Sequence, residues 1–265
     1  MASRRSDPAK ALSAYVDGLR TLGDWLTTVP ADGWMRPSVL PGWTVAELAA
    51  HMLLVADGVT TIARAGKGTV PLCPADYMAR YSAIAGDIDA NTRAAVPPRI
   101  GDATGAQLSS AIGVKLDQGV EIIAAWSPDT VVQGGRGPIR LADYLATRAV
   151  EVAVHADDLA RSVPDVAAPQ LPRDCVRLAV RTLLDALAAK APGRTVEVRV
   201  PPIGAVQCVE GPRHTRGTPS NVIEMNATTW LRLAGGRVTW RAAVESGDVS
   251  ASGGRADLTP WLPLL

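Results

Sequence analysis

The chain has 265 residues, 47% of them hydrophobic, and its 27 basic and 26 acidic side chains leave a formal net charge of +1. That length carries one large domain or two modest ones around a buried core. With charge nearly cancelled and no Lys/Arg block interleaved with aromatics, neither a nucleic-acid footprint nor an electrostatic membrane patch is expected.

No apolar run approaches the length that spans a bilayer. The stretch "MASRRSDPAKALSAYVDG" lacks the apolar core and small-residue cleavage site of a signal peptide, so a cytoplasmic location is expected. Cys73, Cys175 and Cys208 are far apart, odd in number and in no CxxC pair. They read as buried small apolar residues rather than disulfides or zinc ligands.

Asp7-Pro8 opens the first helix as a cap followed by proline at the first helical position. Leu12, Tyr15, Val16, Leu19, Leu22 and Leu26 form its apolar stripe, which stops near Pro30. Pro41-Gly42 and then Thr44-x-x-Glu47, a capping-box spacing, open a second helix that carries His51. Helical stretches follow over about 75–94 and 104–126, separated by "VPPRIGDATG". After the turn-rich "SPDTVVQGGRGPIR" come a helix over about 141–161 and another in "RDCVRLAVRTLLDALAAK".

Past Pro192 the texture changes. "RTVEVRV" and "GAVQCVEG" alternate apolar and polar residues at period two, as half-buried strands do, with Pro201-Pro202 as a turn. A short helix in "NATTWLRLAGG" is capped by Asn226 and ended by Gly235-Gly236, while "RVTWRAAVES" and "DVSASG" read as strand and hairpin. The expected organisation is a helical domain over 1–165 and a helical connector with a small α+β domain over 166–265.

Histidine is scarce: His51, His155 and His214, the last in the polar stretch "EGPRHTRG", where exposure is expected. Glu151 and His155 stand four apart in "VEVAVHADDLAR", so one helix face can present a carboxylate oxygen and an imidazole nitrogen to one ion. If the helices face each other, His51 completes a 2-His-1-carboxylate set with one position left open, as in catalytic zinc sites. Arg148 and Asp158 lie one turn either side, where they can orient the carboxylate and the imidazole. The same spacing also fits polar residues on a wet helix face, with His51 a core histidine bonded to a carbonyl.

"GWTVAELAAHM" and "RAVEVAVHADDL" resemble the mycothiol-dependent maleylpyruvate isomerase family, within the DinB-like superfamily of metal-binding four-helix bundles. Gly42, Trp43, Thr44, Leu48 and His51 match its first motif; Arg148, Glu151, His155 and Asp158 match its second. The C-terminal "NATTWLRLAGGRV" and "SGDVSASGGRADLTPWLPLL" resemble a sterol-carrier-like fold. The implied fold is α plus α+β: a DinB-like four-helix bundle with extra helices, followed by a small sterol-carrier-like domain. The resemblance implies that His51, Glu151 and His155 hold zinc, or another divalent transition metal, whose open position takes mycothiol as thiolate. It further implies that the second domain overhangs the metal and lends an arginine to the substrate, assigned to Arg237.

The implied enzyme is a thiol-using S-transferase or isomerase acting on a small electrophile. Asp158 would orient His155, and Arg237 would fix an anionic substrate. A variant uses a metal-bound hydroxide for hydrolysis. The competing reading is a carrier of a lipid or other apolar ligand, with Trp230, Leu233 and Trp240 lining its groove and the metal structural or vestigial; more often such residues are core. "GGRGPIR" lacks the setting and the lysine of a phosphate loop, and Trp43 reads as a hydrophobic anchor at its helix start.

Overall fold

The helix starts follow from their caps. In the computed structural model, which describes residues 7–211 and 221–265, the Asp7 side chain accepts from the Ala9 amide at the head of α1 (Pro8–Leu26). Thr44 accepts from the Glu47 amide while the Glu47 carboxylate accepts from the Thr44 amide, closing the capping box of α2 (Val45–Thr61). After a short strand, β1 (Ala63–Arg64), the single helix expected over 75–94 is instead α3 (Pro74–Ala79), a 3-10 turn Tyr81–Ile84 and α4 (Ala85–Ala95). Tertiary packing breaks it: α3 lies against α6 and α7, while α4 lies against α2. A straight helix cannot reach both.

α5 (Thr104–Ala124) follows, and then the stretch read as turn-rich forms a hairpin, β2 (Val131–Gly134) and β3 (Gly137–Arg140). With β1 it makes a three-stranded antiparallel sheet in the order β1-β2-β3. The hairpin turns at Gly135-Arg136, between the paired Gly134 and Gly137. β3 runs directly into α6 (Leu141–Ser162), and α1, α2, α5 and α6 pack together as a four-helix bundle.

α7 (Arg173–Lys190) leads into the C-terminal unit: β4 (Val196–Val200), β5 (Gly204–Cys208), β6 (Val222–Met225), α8 (Ala227–Ala234), α9 (Trp240–Glu245) and β7 (Val249–Ser252). The sheet order is β5-β4-β6-β7, with β4 and β6 parallel and the other pairs antiparallel. Val196, Val198 and Val200 are buried, and Glu197 and Arg199 between them are not, as the alternation requires. "RVTWRAAVES" is not a strand: the Thr239 hydroxyl accepts from the Ala242 amide and starts α9 with Trp240. β6, in "NVIEM", was not anticipated, and His214 lies outside the described residues.

Two cores result. Leu19, Leu22, Trp34, Leu48, Met52 and Leu116 belong to the bundle's; Val180, Leu183, Val198, Ile223, Trp230 and Leu233 belong to the second. α6 serves both, sending Val152 and Leu159 to the first and Val150, Ala153 and Val154 to the second. Trp230 is fully buried and its indole donates to the Val180 carbonyl, so it is packing rather than the wall of an open groove.

Burial pushes the thiols of Cys175 and Cys208 up to about 12 and about 11. Cys73 departs from the expected burial: it is exposed, and its sulfur caps α3 by accepting from the Asp76 amide. Among the described residues no helix is long and apolar enough to cross a membrane.

Candidate metal centre

Three side chains from two helices converge. His51 on α2 and Glu151 and His155 on α6 each offer one ligand atom, and these atoms lie within 4.8 Å of one another. Glu151 Oε2 is 3.8 Å from His51 Nε2 and 3.4 Å from His155 Nε2. Bonds of about 2.0–2.1 Å in a tetrahedron place ligands roughly 3.3 Å apart; the 3.4 Å between Glu151 Oε2 and His155 Nε2 matches that spacing, and the 3.8 Å to His51 Nε2 is wider.

Every other polar atom of the three side chains is engaged. His51 Nδ1 lies 3.4 Å from Thr92 Oγ1 on α4, and His155 Nδ1 lies 3.0 Å from Asp158 Oδ2. Both imidazoles therefore turn Nε2 toward Glu151. Glu151 Oε1 accepts from Arg136 Nη2 at 3.0 Å and Arg148 Nη2 at 3.2 Å. The carboxylate is thus gripped on one oxygen and offered on the other. Two nitrogens and a carboxylate oxygen suit zinc, nickel, iron or cobalt.

The electrostatics agree with that division. Burial pushes the Glu151 carboxyl up, but Arg148, the two histidines and Arg136 together outweigh it and hold it well below the ordinary carboxylate range. Burial holds the His51 imidazole below its ordinary value. At His155 burial also opposes the charge, yet Asp158 and Glu151 overcome it and raise the imidazole.

Asp158 is fully buried and receives more than the histidine. Arg237 Nη2 donates to its Oδ2 at 2.8 Å, and Arg161 Nη2 donates to its Oδ1 at 2.7 Å. Burial works against its charge, but His155 and Arg237 hold its carboxyl far below the ordinary value. Arg237 follows α8, after Gly236 with φ 71°, so it sits in a turn. Its Nε also points at Asp158, and its Nη1 donates to the Gly235 carbonyl. The guanidinium expected to hold a substrate is spent on a carboxylate of its own chain.

Beside the ligands is a cavity of about 150 Å³, walled by Met78, Tyr81, Val150, Val154, Arg136 and Arg237 among others. Arg136, Thr92, Tyr81 and Arg161 had gone unremarked in the sequence. Arg136 sits at the hairpin tip in "GGRGPIR", where the glycines were the available signal. Gly134 is needed there, since a Cβ on it would stand 2.3 Å from the Tyr77 hydroxyl oxygen. Trp43 caps the other side, its indole donating to Asp89 at 2.8 Å and its ring 5.4 Å from that of His51.

Residues 16–160 match the family model described as the mycothiol maleylpyruvate isomerase N-terminal domain, and residues 172–264 match one described as a bacterial SCP ortholog. Two crystal structures of mycothiol-dependent maleylpyruvate isomerase are similar to the chain. A histidine-to-alanine mutant gives a TM-score of 0.58 at 17% identity, and a second structure gives 0.56 at 16%. Each comparison covers 92% of this chain and 92% of that chain. At such identities the likeness is one of fold. No curated protein matches the chain.

Proposed function

The chain belongs to the family of the mycothiol maleylpyruvate isomerase N-terminal domain, and from that premise we propose that its cavity serves a thiol-dependent isomerisation, or S-transfer, on a small electrophile. In this reading His51, Glu151 and His155 hold a divalent transition metal, zinc first, and mycothiol is the thiol. Residues 1–165 form the metal-binding bundle, and residues 166–265 the connector and the unit that closes over it. One observation carries the reading: two Nε2 atoms and Oε2 face one another while their companion atoms are all engaged elsewhere.

A bound cation would supply charge that keeps a thiol ionised, and so nucleophilic, at neutral pH. The chain's own residues do the positioning. Arg148 and Arg136 keep Glu151 anionic and aimed. Asp158 fixes the tautomer and plane of His155, and Arg237 and Arg161 fix Asp158. Val150, Val154 and Met78 keep water from much of the wall.

Elemental analysis of the purified wild type beside His51→Ala and His155→Ala tests the site. About one metal ion per chain is expected in the wild type and close to none in either variant. Equal content in all three removes the site and the thiol chemistry with it. Recovery of the thiol after turnover separates isomerisation from S-transfer, which consumes it.

A further inference from the structure

The metal cavity is small for what the thiol-dependent reading asks of it. Its volume of about 150 Å³ is about half of the 300 Å³ at which pockets for cofactors and other small molecules begin, whereas a thiol and an electrophile must be seated together. The approach is narrow as well, because the side chains of His51, His155 and Glu151 are only 7%, 10% and 15% exposed. Some part of the wall has to move.

Most of the wall is tied down. α6 is committed to two cores, and Arg237 is held by Asp158 and the Gly235 carbonyl. Arg136 is bonded to Glu151 and lies over Tyr77, with Tyr81 against its guanidinium. That leaves Met78 and Leu265. The Leu264 and Leu265 amides share one acceptor, the Ala234 carbonyl, at 2.8 and 3.3 Å, and the Lys190 ammonium donates to the Pro263 carbonyl at an exposed site. Upstream, Leu258 is fully buried and its carbonyl accepts from the Trp261 and Leu262 amides. Residues 263–265 thus form a short strap, anchored behind and lightly fastened in front.

Beyond the strap lies a second hollow of about 180 Å³, between α3 and α7, walled by Ala75, Ala79, Ala186 and Ala189. It shares Met78 with the metal cavity. Leu264 lines the hollow and Leu265 lines the cavity, so Met78 and this pair of leucines partition the two. Methionine is unbranched and repacks readily. Joined, the two hollows reach the size at which cofactor pockets begin.

We propose that the Leu264–Leu265 strap is a lid: it swings off Ala234, joins the α3–α7 hollow to the metal cavity and so admits a thiol too large for the cavity alone. With the lid raised, the sulfur end of the ligand lies in the cavity and its body in the hollow. The identity of the ligand rests on the thiol-dependent reading above; the movement of the lid does not. Lids are drawn from the least stable parts of a fold, so the strap opens without the rest of the molecule.

The test places a thiol in the cavity wall, Val154→Cys, on metal-free protein in which Cys73→Ser removes the exposed native thiol and keeps a helix cap. The buried Cys175 and Cys208 report any opening of the whole fold. N-methylmaleimide and fluorescein maleimide share one reactive group and differ in bulk, so the ratio of their rates reads size selection. With the strap intact the bulky reagent is expected to label the introduced thiol tenfold or more slower than the small one. Leu264→Gly with Leu265→Gly is expected to remove most of that difference. Leu264→Pro, which deletes the amide that fastens the strap to Ala234, is expected to act in the same direction. In native-state hydrogen exchange the Leu264 amide is expected to exchange at least a hundredfold faster than the amides in the middle of α6.

The same size selection with and without the strap overturns the proposal, as does an intact strap that admits both reagents alike. A gain in labelling shared by Cys208 overturns it too, since the whole unit has then loosened. So does a Leu264 amide that exchanges as slowly as those of α6, because the strap would then open only when the fold does. Metal uptake is measured alongside: a protein that binds no metal sinks the thiol-dependent reading and leaves the labelling to decide the lid.

Discussion

On the bundle side of the site, His51 rests on one hydroxyl, Thr92 Oγ1 at 3.4 Å, and on the ring of Trp43. On the side facing the C-terminal unit, His155 is tied to Asp158, and Asp158 in turn to Arg161 and Arg237. One imidazole is steadied by a neutral, long contact, and the other by a buried carboxylate with two cations behind it. The lesson is that the geometry of this site is set mainly where the two cores meet. A charged orienting partner raises the basicity of its histidine, as the opposite shifts of His51 and His155 reflect.

Glu151 joins the two sides, and removing its charge has the largest expected effect. Glu151→Gln leaves Arg136 and Arg148 facing each other without a counter-ion. A loss of about 3–5 kcal/mol in denaturant unfolding is expected, together with loss of metal. A variant as stable as wild type would mean that the arginines find other partners.

Asp158→Asn strikes the better-supported histidine and should lower metal affinity by about 10–100-fold in competition with a chelating dye. Thr92→Val strikes the weaker support, and less than tenfold is expected in the same assay. Equal losses would erase the asymmetry. A larger loss for Thr92→Val would invert it.

The smallest effect lies in the pH dependence of stability. Asp158 and Glu151 are held below their ordinary values of 3.8 and 4.5, so the unfolded chain takes up protons in acid that the folded chain refuses. Their contribution is complete above those values and is lost as pH falls through about 4 and below. Urea midpoints measured at a series of pH values should decline there in the wild type, and less steeply in Asp158→Asn. Parallel curves would show that Asp158 gains nothing from its buried partners.

Much of this was readable in advance, for identifiable reasons. The capping box at Thr44 and Glu47 and the proline after Asp7 are local signals, and local signals place helix starts. The spacing of Arg148, Glu151, His155 and Asp158 puts four polar groups along one side of a helix whatever the tertiary structure. What escaped the sequence depends on contacts far along the chain. Thr92 reaches His51 only because α4 turns back over α2, and Arg136 reaches Glu151 only because the hairpin folds onto Tyr77 and Tyr144. "RVTWRAAVES" mimicked a strand because six residues are too few for helical periodicity to outvote alternation.

The double burial of α6 also bears on how the molecule comes apart. Val152 and Leu159 are committed to one core while Val150, Ala153 and Val154 are committed to the other. Neither core can melt without stripping one flank of the same helix, so the two should lose their structure together, in one cooperative transition. Cutting the chain after α6 would leave that flank bare, and the fragment would face water with a seam built to be covered. The protein divides in sequence more readily than it divides in folding.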